Sequence, residues 1–199
     1  MSIKIFNKWD TSMIKVEDSG LKRYINLQPI VVPRTAGRQA KYRFYKSTAV
    51  NIVERLMNKL QVPGHRGKKH FRTSGHCTGK AARLYKTVFN ALLLIEKQLN
   101  KNPIEILVKA VENAAPREEI TTIEYGGARY PQAVECAPQR RVDFALRMFV
   151  QGAYTKCFNT KIKLENALSD EIIKAYNLDQ SSVAIAKKLE LEKQADSAR

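Results

Sequence analysis

Two adjacent arginines at the start of a helix are the first place where side-chain type and position set up chemistry. Arg140-Arg141 follow Pro138, and proline opens a helix because it gives up an N–H that would have no partner there anyway. The first helical turn carries the positive end of the dipole, where an exposed cation typically costs about 0.3 to 1 kcal/mol. Two repairs are open: a nearby carboxylate, Glu135 or Asp143, or an external phosphate. Broken local rules of this kind gather at functional sites. Arg129 and Tyr130, on the segment leading to this helix, add a cation and an aromatic ring. The chemistry these types support is anion binding.

The same chemistry is repeated upstream. Residues 34–86 hold fourteen Lys or Arg and a single acid, Glu54, with Tyr42, Phe44, Tyr45, Phe71 and Tyr85 interleaved. Cations neutralise phosphates and rings stack on bases, so the pattern suits a nucleic acid. The alternative for Phe44 and Tyr85 is packing in the core. Over the chain, 35 basic residues against 19 acidic give a net charge of +16. Residues 1–100 hold twenty basic and five acidic side chains, while residues 101–199 hold fifteen and fourteen. The first half is the electrostatic face, and a polyanion is the partner it implies.

Other chemistry finds little support. His65, His70, His76 and Cys77 share one loop, but they lack the paired spacing of a zinc site, and His76 and Cys77 are adjacent. No metal or other cofactor is expected. Glu118-Glu119 are a poor acid/base pair, because neighbours on a strand point opposite ways; they are expected to balance Arg117 and Lys109. Cys157, near Tyr154 and Lys156, reads as a packing residue. There is no phosphate loop, dinucleotide-binding glycine set or nucleophile elbow, so no enzymatic activity and no small-molecule substrate are expected. Cys77, Cys136 and Cys157 are an odd number at wide spacing, which suggests free thiols in a reducing compartment. With no signal peptide or apolar run near 20 residues, the sequence predicts a soluble intracellular chain without membrane contact.

These residues need elements to position them. Asn102-Pro103 caps a helix striped by Ile104, Leu107, Val108, Val111 and Ala115, which Pro116 stops. From Thr121 the period becomes two. Gly126-Gly127 makes a turn, and residues 128–137 return as the partner strand of a hairpin. Pro138 opens the helix of Arg140-Arg141, striped by Val142, Ala145, Leu146, Phe149 and Ala153. Earlier, residues 1–47 form an extension with scattered anchors (Phe6, Trp9, Met13, Ile14, Val16, Leu21, Tyr24 and Ile25) and a basic strap that orders on a polyanion. A helix begins near Thr48 and ends at Pro63-Gly64; residues 64–79 are an irregular basic loop; residues 80–99 are a long amphipathic helix with Lys80, Arg83 and Lys86 facing out. Residues 162–176 form another helix. The last starts near Ser181, capped by Ser181 or Ser182, and carries Val183, Ile185, Ala186, Leu189 and Leu191 before a mobile tail. The fold class is mainly α: a bundle of about six helices with a protruding two-stranded β-hairpin arm and an irregular basic N-terminal extension. The division expected is 1–47 for the extension and 48–199 for a helical RNA-binding domain, with the hairpin at about 120–137.

Four stretches, IVERLMNKL, GKAARLYKTVFNALLLIEKQLNKNPIEILVKAVENAAPREE, YGGARYPQAVECAPQRRVDFALRMFVQGA and the terminal AIAKKLELEKQADSAR, resemble the universal S-seven family of small-subunit ribosomal proteins, called S-five in eukaryotes. The segments KIFNKWD and TAGRQAKYRF are similar to the archaeal and eukaryotic branch. The resemblance implies a structural ribosomal protein that binds the 3′ major domain of small-subunit ribosomal RNA and nucleates assembly of the subunit head. It also implies neighbouring head proteins as partners, with the hairpin and C-terminus near messenger RNA and exit-site tRNA. The implied place is cytoplasmic ribosomes, assembled in the nucleolus if the chain is eukaryotic. The RNA-binding residues it implies are Arg38, Lys41, Arg43 and Lys46 in the strap, Lys80, Arg83 and Lys86 in the long helix, and Arg117, Arg129, Tyr130, Arg140 and Arg141 around the hairpin. Residues 64–77 are longer than the family pattern, so Lys68, Lys69 and Arg72 enter this set on charge alone. The competing readings are a free-standing DNA- or RNA-binding regulator and a helical protein–protein adaptor.

Overall fold

The computed structural model describes residues 3–34, 50–66, 69–70 and 74–199. Among the described residues six α-helices carry the body: α1 Ile52–Leu60, α2 Ala81–Leu99, α3 Pro103–Ala114, α4 Pro138–Cys157, α5 Leu164–Tyr176 and α6 Val183–Asp196. Two antiparallel pairs of strands complete it, β1 His65–Arg66 with β2 Lys69–His70, and β3 Glu118–Tyr125 with β4 Ala128–Glu135. The mainly helical architecture with a hairpin arm is as the sequence predicts. The described part of residues 64–79 departs from an irregular loop, since β1 and β2 pair there and a short 3₁₀ turn, Ser74–Cys77, follows.

Helix α5 is the centre of the bundle, packed on α2, α3, α4 and α6. The stripes read from the sequence supply the core: Ile104, Leu107, Val108 and Val111 of α3 and Val142, Ala145, Leu146, Phe149 and Ala153 of α4 are all buried. Asn102 caps α3 by accepting from the Ile104 N–H at 3.1 Å, and Asn51 caps α1 by accepting from Val53 at 2.9 Å. Both satisfy amides that the helix itself leaves without a partner.

The extension is tied to this body. Ile5, Phe6, Trp9, Leu21 and Ile25 join the common core, with Phe6 packed against Tyr85 and Phe89 at ring distances of 5.0 and 5.2 Å. Thus Tyr85 is held by packing. The backbone of the extension is clipped too: Asn51 donates to the Gln28 carbonyl at 2.8 Å, Arg55 to that of Tyr24 at 2.8 Å, and Asn102 to that of Asp10 at 2.6 Å. Met13 is a wrong anchor; it stands 88% exposed, because Thr11 and Ile14 on either side make the turn's inward contacts.

Helix α6 also differs from its reading. Ala184, Ile185 and Ala195 are buried, whereas Val183 and Leu189 are exposed. Ser182 holds the N-cap position without capping through its side chain; the hydroxyl donates instead to Glu171 Oε1 at 2.8 Å. The expected mobile tail is helical to Asp196, and Arg199 pairs with Glu118.

Candidate nucleic-acid interface

The hairpin begins three residues earlier than its alternating pattern, at Glu118, and ends at Glu135. Gly126 and Gly127 have φ of +58° and +81°, a turn in which a side chain would be strained. Register sets Ile123 opposite Tyr130 and Glu124 opposite Arg129. From Thr121 to Tyr125 and from Ala128 to Gln132 the strands are exposed, while the root packs on α6. Five exposed residues per strand reach roughly 17 Å into solvent.

At the root, Arg140 and Arg141 find carboxylates, but from other elements than the sequence suggested. Arg140 pairs with Glu119 at 2.6 Å. Arg141 donates to Asp18 Oδ2 at 2.8 Å and to the Pro116 carbonyl at 3.0 Å. Glu135 is exposed, and Asp143 is taken by Arg55 at 3.1 Å and Lys59 at 3.6 Å. Glu118 and Glu119 accordingly balance Arg199 and Arg140. Lys109 instead meets Glu17 and Glu112, while the Arg117 backbone N–H donates to Glu192 at 3.0 Å. The helix-start cations therefore lock the hairpin root to the extension and to β3. Arg141 is only 12% exposed and serves this joint, whereas Arg140 is 57% exposed and keeps a free edge.

Burial alone would push the Asp18 carboxyl up, but the Arg141 guanidinium and the Gly20 N–H hold it below the usual carboxylate range. A folded-state pKa below the unfolded one means that the stabilisation is present above the unfolded value and is lost as pH falls through the folded one. Asp18→Asn should therefore cost about 1 to 2 kcal/mol at pH 7, as expected for a charged hydrogen bond that is one-third exposed. Urea unfolding at pH 7 and pH 3 checks it: the gap between wild type and variant should narrow at pH 3.

The second basic group lies elsewhere. Lys80, Arg83 and Lys86 are exposed at and after the start of α2. Among the described residues these three and Arg117 have no ion pair. Arg129 is 76% exposed and leans on Glu124 at 3.6 Å; Tyr130 is 57% exposed. Lys69 lies in β2, and Arg38, Lys41, Arg43, Lys46, Lys68 and Arg72 lie outside the described residues. The root residues sit at the first turn of α4, and a cavity of about 560 Å³ lies between the α2 start and the last turn of α4. Twenty residues at 1.5 Å each separate the two groups by roughly 30 Å.

Residues of that cavity that the sequence reading did not single out as a site include Tyr154, Phe158, Asn159, Lys163 and Glu165. One local signal marks the place: Asn159 takes φ +55° where α4 stops, a conformation asparagine tolerates. Nothing local joins it to residues 76–87, which close the cavity. Cys77 and Cys157 line it as well, and burial pushes both thiols up. Burial, then the Glu119 charge, pushes the Cys136 thiol up to about 11. Such thiols are poor nucleophiles at neutral pH. Among the described residues no cluster of three His, Cys, Asp or Glu could hold a metal ion, and no helix is long and apolar enough to cross a membrane.

A family model described as ribosomal protein S7p/S5e matches residues 21–199. The chain is 52% identical over 199 residues to the small ribosomal subunit protein uS7 of Nanoarchaeum equitans, covering 100% of both. It is 46% identical over 198 residues to the protein of the same name from Methanosphaera stadtmanae, again covering 100% of both.

Proposed function

Because the chain belongs to the ribosomal protein S7p/S5e family, and so is a structural component of the small ribosomal subunit rather than an enzyme, we propose that its two basic groups bind the 3′ major domain of small-subunit ribosomal RNA. The observation that carries this reading is the exposure of Lys80, Arg83, Lys86 and Arg117 without an ion pair among the described residues. Cations left unpaired on a folded surface suit phosphate neutralisation and recognition of RNA shape. Arg129, Tyr130 and the outer edge of Arg140 extend the surface along the hairpin, and the strap residues Arg38, Lys41, Arg43 and Lys46, with Lys68, Lys69 and Arg72, join it through charge.

A surface split across roughly 30 Å suits a nucleating role, since one rigid body can hold two RNA segments at a fixed spacing. In this reading the chain binds early, organises the subunit head beside neighbouring proteins, and sets the hairpin near messenger RNA and exit-site tRNA. A two-stranded hairpin is marginal by itself, and here α6 and the Arg199–Glu118 pair brace its root.

Sucrose-gradient fractionation of native lysate, probed for this chain with and without magnesium, tests the reading. Comigration with small subunits and monosomes is expected, collapsing to small subunits when magnesium is removed. A peak at the top of both gradients would overturn it in favour of a free-standing nucleic-acid-binding regulator.

A further inference from the structure

The outer face of α4 carries a cation whose natural partner has been taken away. Asp143 and Arg147 are four residues apart, the spacing at which an acid followed by a base ordinarily pairs along a helix. Asp143 is spent on α1 instead, held by Arg55 at 3.1 Å and Lys59 at 3.6 Å. Arg147 is left exposed, with no ion pair among the described residues. The extension brings two more such cations to this place. Arg55 also donates to the Tyr24 carbonyl at 2.8 Å, and Arg141 pairs with Asp18, so residues 18–24 run beside the first turns of α4. Within that stretch Leu21 is buried, while Lys22 and Arg23 are exposed and again have no ion pair among the described residues. Arg140, which keeps a free edge, lies seven residues before Arg147 on the same stripe of α4, roughly 10 Å along the axis.

Resting on the ribosomal RNA reading above, we infer that this face is a third RNA-binding surface, on which Lys22, Arg23 and Arg147 hold the sugar–phosphate backbone of double-stranded RNA. Two features select a duplex over a single strand. The aromatic side chains beside these cations, Tyr24 and Phe144, are packed against the core, so the face offers charge without a stacking platform. Proteins that hold single strands use rings as well as charge, whereas duplex RNA is met through its phosphates, 2′-hydroxyls and shape. The cations also stand on two tracks, Lys22 and Arg23 on the extension and Arg140 and Arg147 on α4. A duplex has two backbones to match them, and a single strand has one. The one carboxylate placed to oppose an incoming phosphate, Asp143, is neutralised by its two partners from α1.

The test uses the full chain, a twelve-base-pair RNA duplex and single-stranded dodecaadenylate. Changing Lys22, Arg23 and Arg147 together to Gln should weaken duplex binding at 0.1 M salt on the order of a hundredfold and flatten its salt slope by about 2 to 3. Affinity for the 3′ major domain RNA should fall with it, while dodecaadenylate binding changes little. A second triple variant separates position from net charge: Lys4, Lys97 and Lys193 are exposed on the chain start, α2 and α6, and changing them to Gln removes the same charge but should cost the duplex less than about threefold. Equal losses from the two triple variants would reduce the effect to the general field of the chain and overturn the inference. So would an equal loss on duplex and dodecaadenylate. An unchanged duplex affinity in a chain that still binds the 3′ major domain RNA also overturns it, and leaves the ribosomal RNA reading standing. If the domain RNA binds no form of the chain, that reading fails by itself. Should the first triple variant lose helicity by circular dichroism, two single changes decide. Arg147→Lys should keep duplex affinity within about threefold and Arg147→Glu should lower it on the order of tenfold; equal affinities overturn the inference.

Discussion

Replacing Glu171 with alanine is expected to lower the stability of the fold by about 3 kcal/mol, a fall in Tm of roughly 6 to 12 °C for a chain of this size. Glu171 is completely buried in α5 and joins three helices. Lys156 of α4 donates to Oε2 at 2.7 Å, and the Ser182 hydroxyl and the Ala184 N–H, at the start of α6, donate to Oε1 at 2.8 and 3.3 Å. Removing one partner of a buried ion pair typically costs about 3 to 5 kcal/mol, because the other charge is left uncompensated. Here Lys156 is 31% exposed and can turn to water, which places the cost at the lower end. The carboxylate also performs the capping that Ser182 does not, setting a negative charge against the positive end of the α6 dipole.

The same joint explains a glycine in mid-helix. Gly152 is buried in α4, and a Cβ there would lie 2.9 Å from Glu171 Cδ and 3.1 Å from Val183 Cβ. Alanine is better than glycine by about 1 kcal/mol in a free helix, yet Gly152→Ala should destabilise by about 1 to 3 kcal/mol through overpacking. With Glu171→Ala in the background much of that penalty should vanish, a coupling of about 1 to 2 kcal/mol in a urea-melt double-mutant cycle. Equal cost in both backgrounds would show that the approach to Glu171 is not what keeps glycine there and leave the Val183 contact as the cause.

What the sequence makes legible here is what local rules control. Asn102-Pro103, Gly126-Gly127 and Pro138 each act within a few residues of themselves, and α3, the hairpin turn and α4 follow. The failures lie where the deciding partner is distant. Arg141 is satisfied by Asp18, 123 residues away, and no spacing rule reaches that far. Helix α6 forms where the sequence predicts it, but its buried face is hidden because polar contacts fix it as much as apolar ones: Lys188 donates to the Asn113 carbonyl at 2.8 Å, and Glu192 accepts from Arg117. Its apolar residues therefore make a poor guide to its buried face. The cavity beside Phe158 is hidden for the same reason, being assembled from residues 76–87 and 154–165.

The largest effect expected of this chain is the salt dependence of its RNA affinity. If six to ten phosphates are contacted, log K should fall with log salt at a slope of about −5 to −9, so raising salt from 50 to 200 mM should cost about 10³ to 10⁵ in affinity for the 3′ major domain RNA. The geometry says how that slope divides. Lys80, Arg83 and Lys86 are exposed without ion pairs among the described residues, so changing all three to Gln should flatten the slope by about 2 to 3 and weaken binding at 0.1 M salt on the order of a hundredfold, with helicity unchanged. Arg117→Gln with Arg129→Gln should flatten it by about 1 to 2, since Arg129 already shares its charge with Glu124. Arg141→Gln should leave the slope nearly untouched while lowering the unfolding midpoint, because its charge is spent on Asp18. If both basic groups grip one RNA, the two flattenings add in the combined variant. A combined variant no flatter than the α2 triple change would mean that the hairpin group stands off the RNA. A wild-type slope shallower than about −2 would remove phosphate neutralisation as the basis of binding altogether.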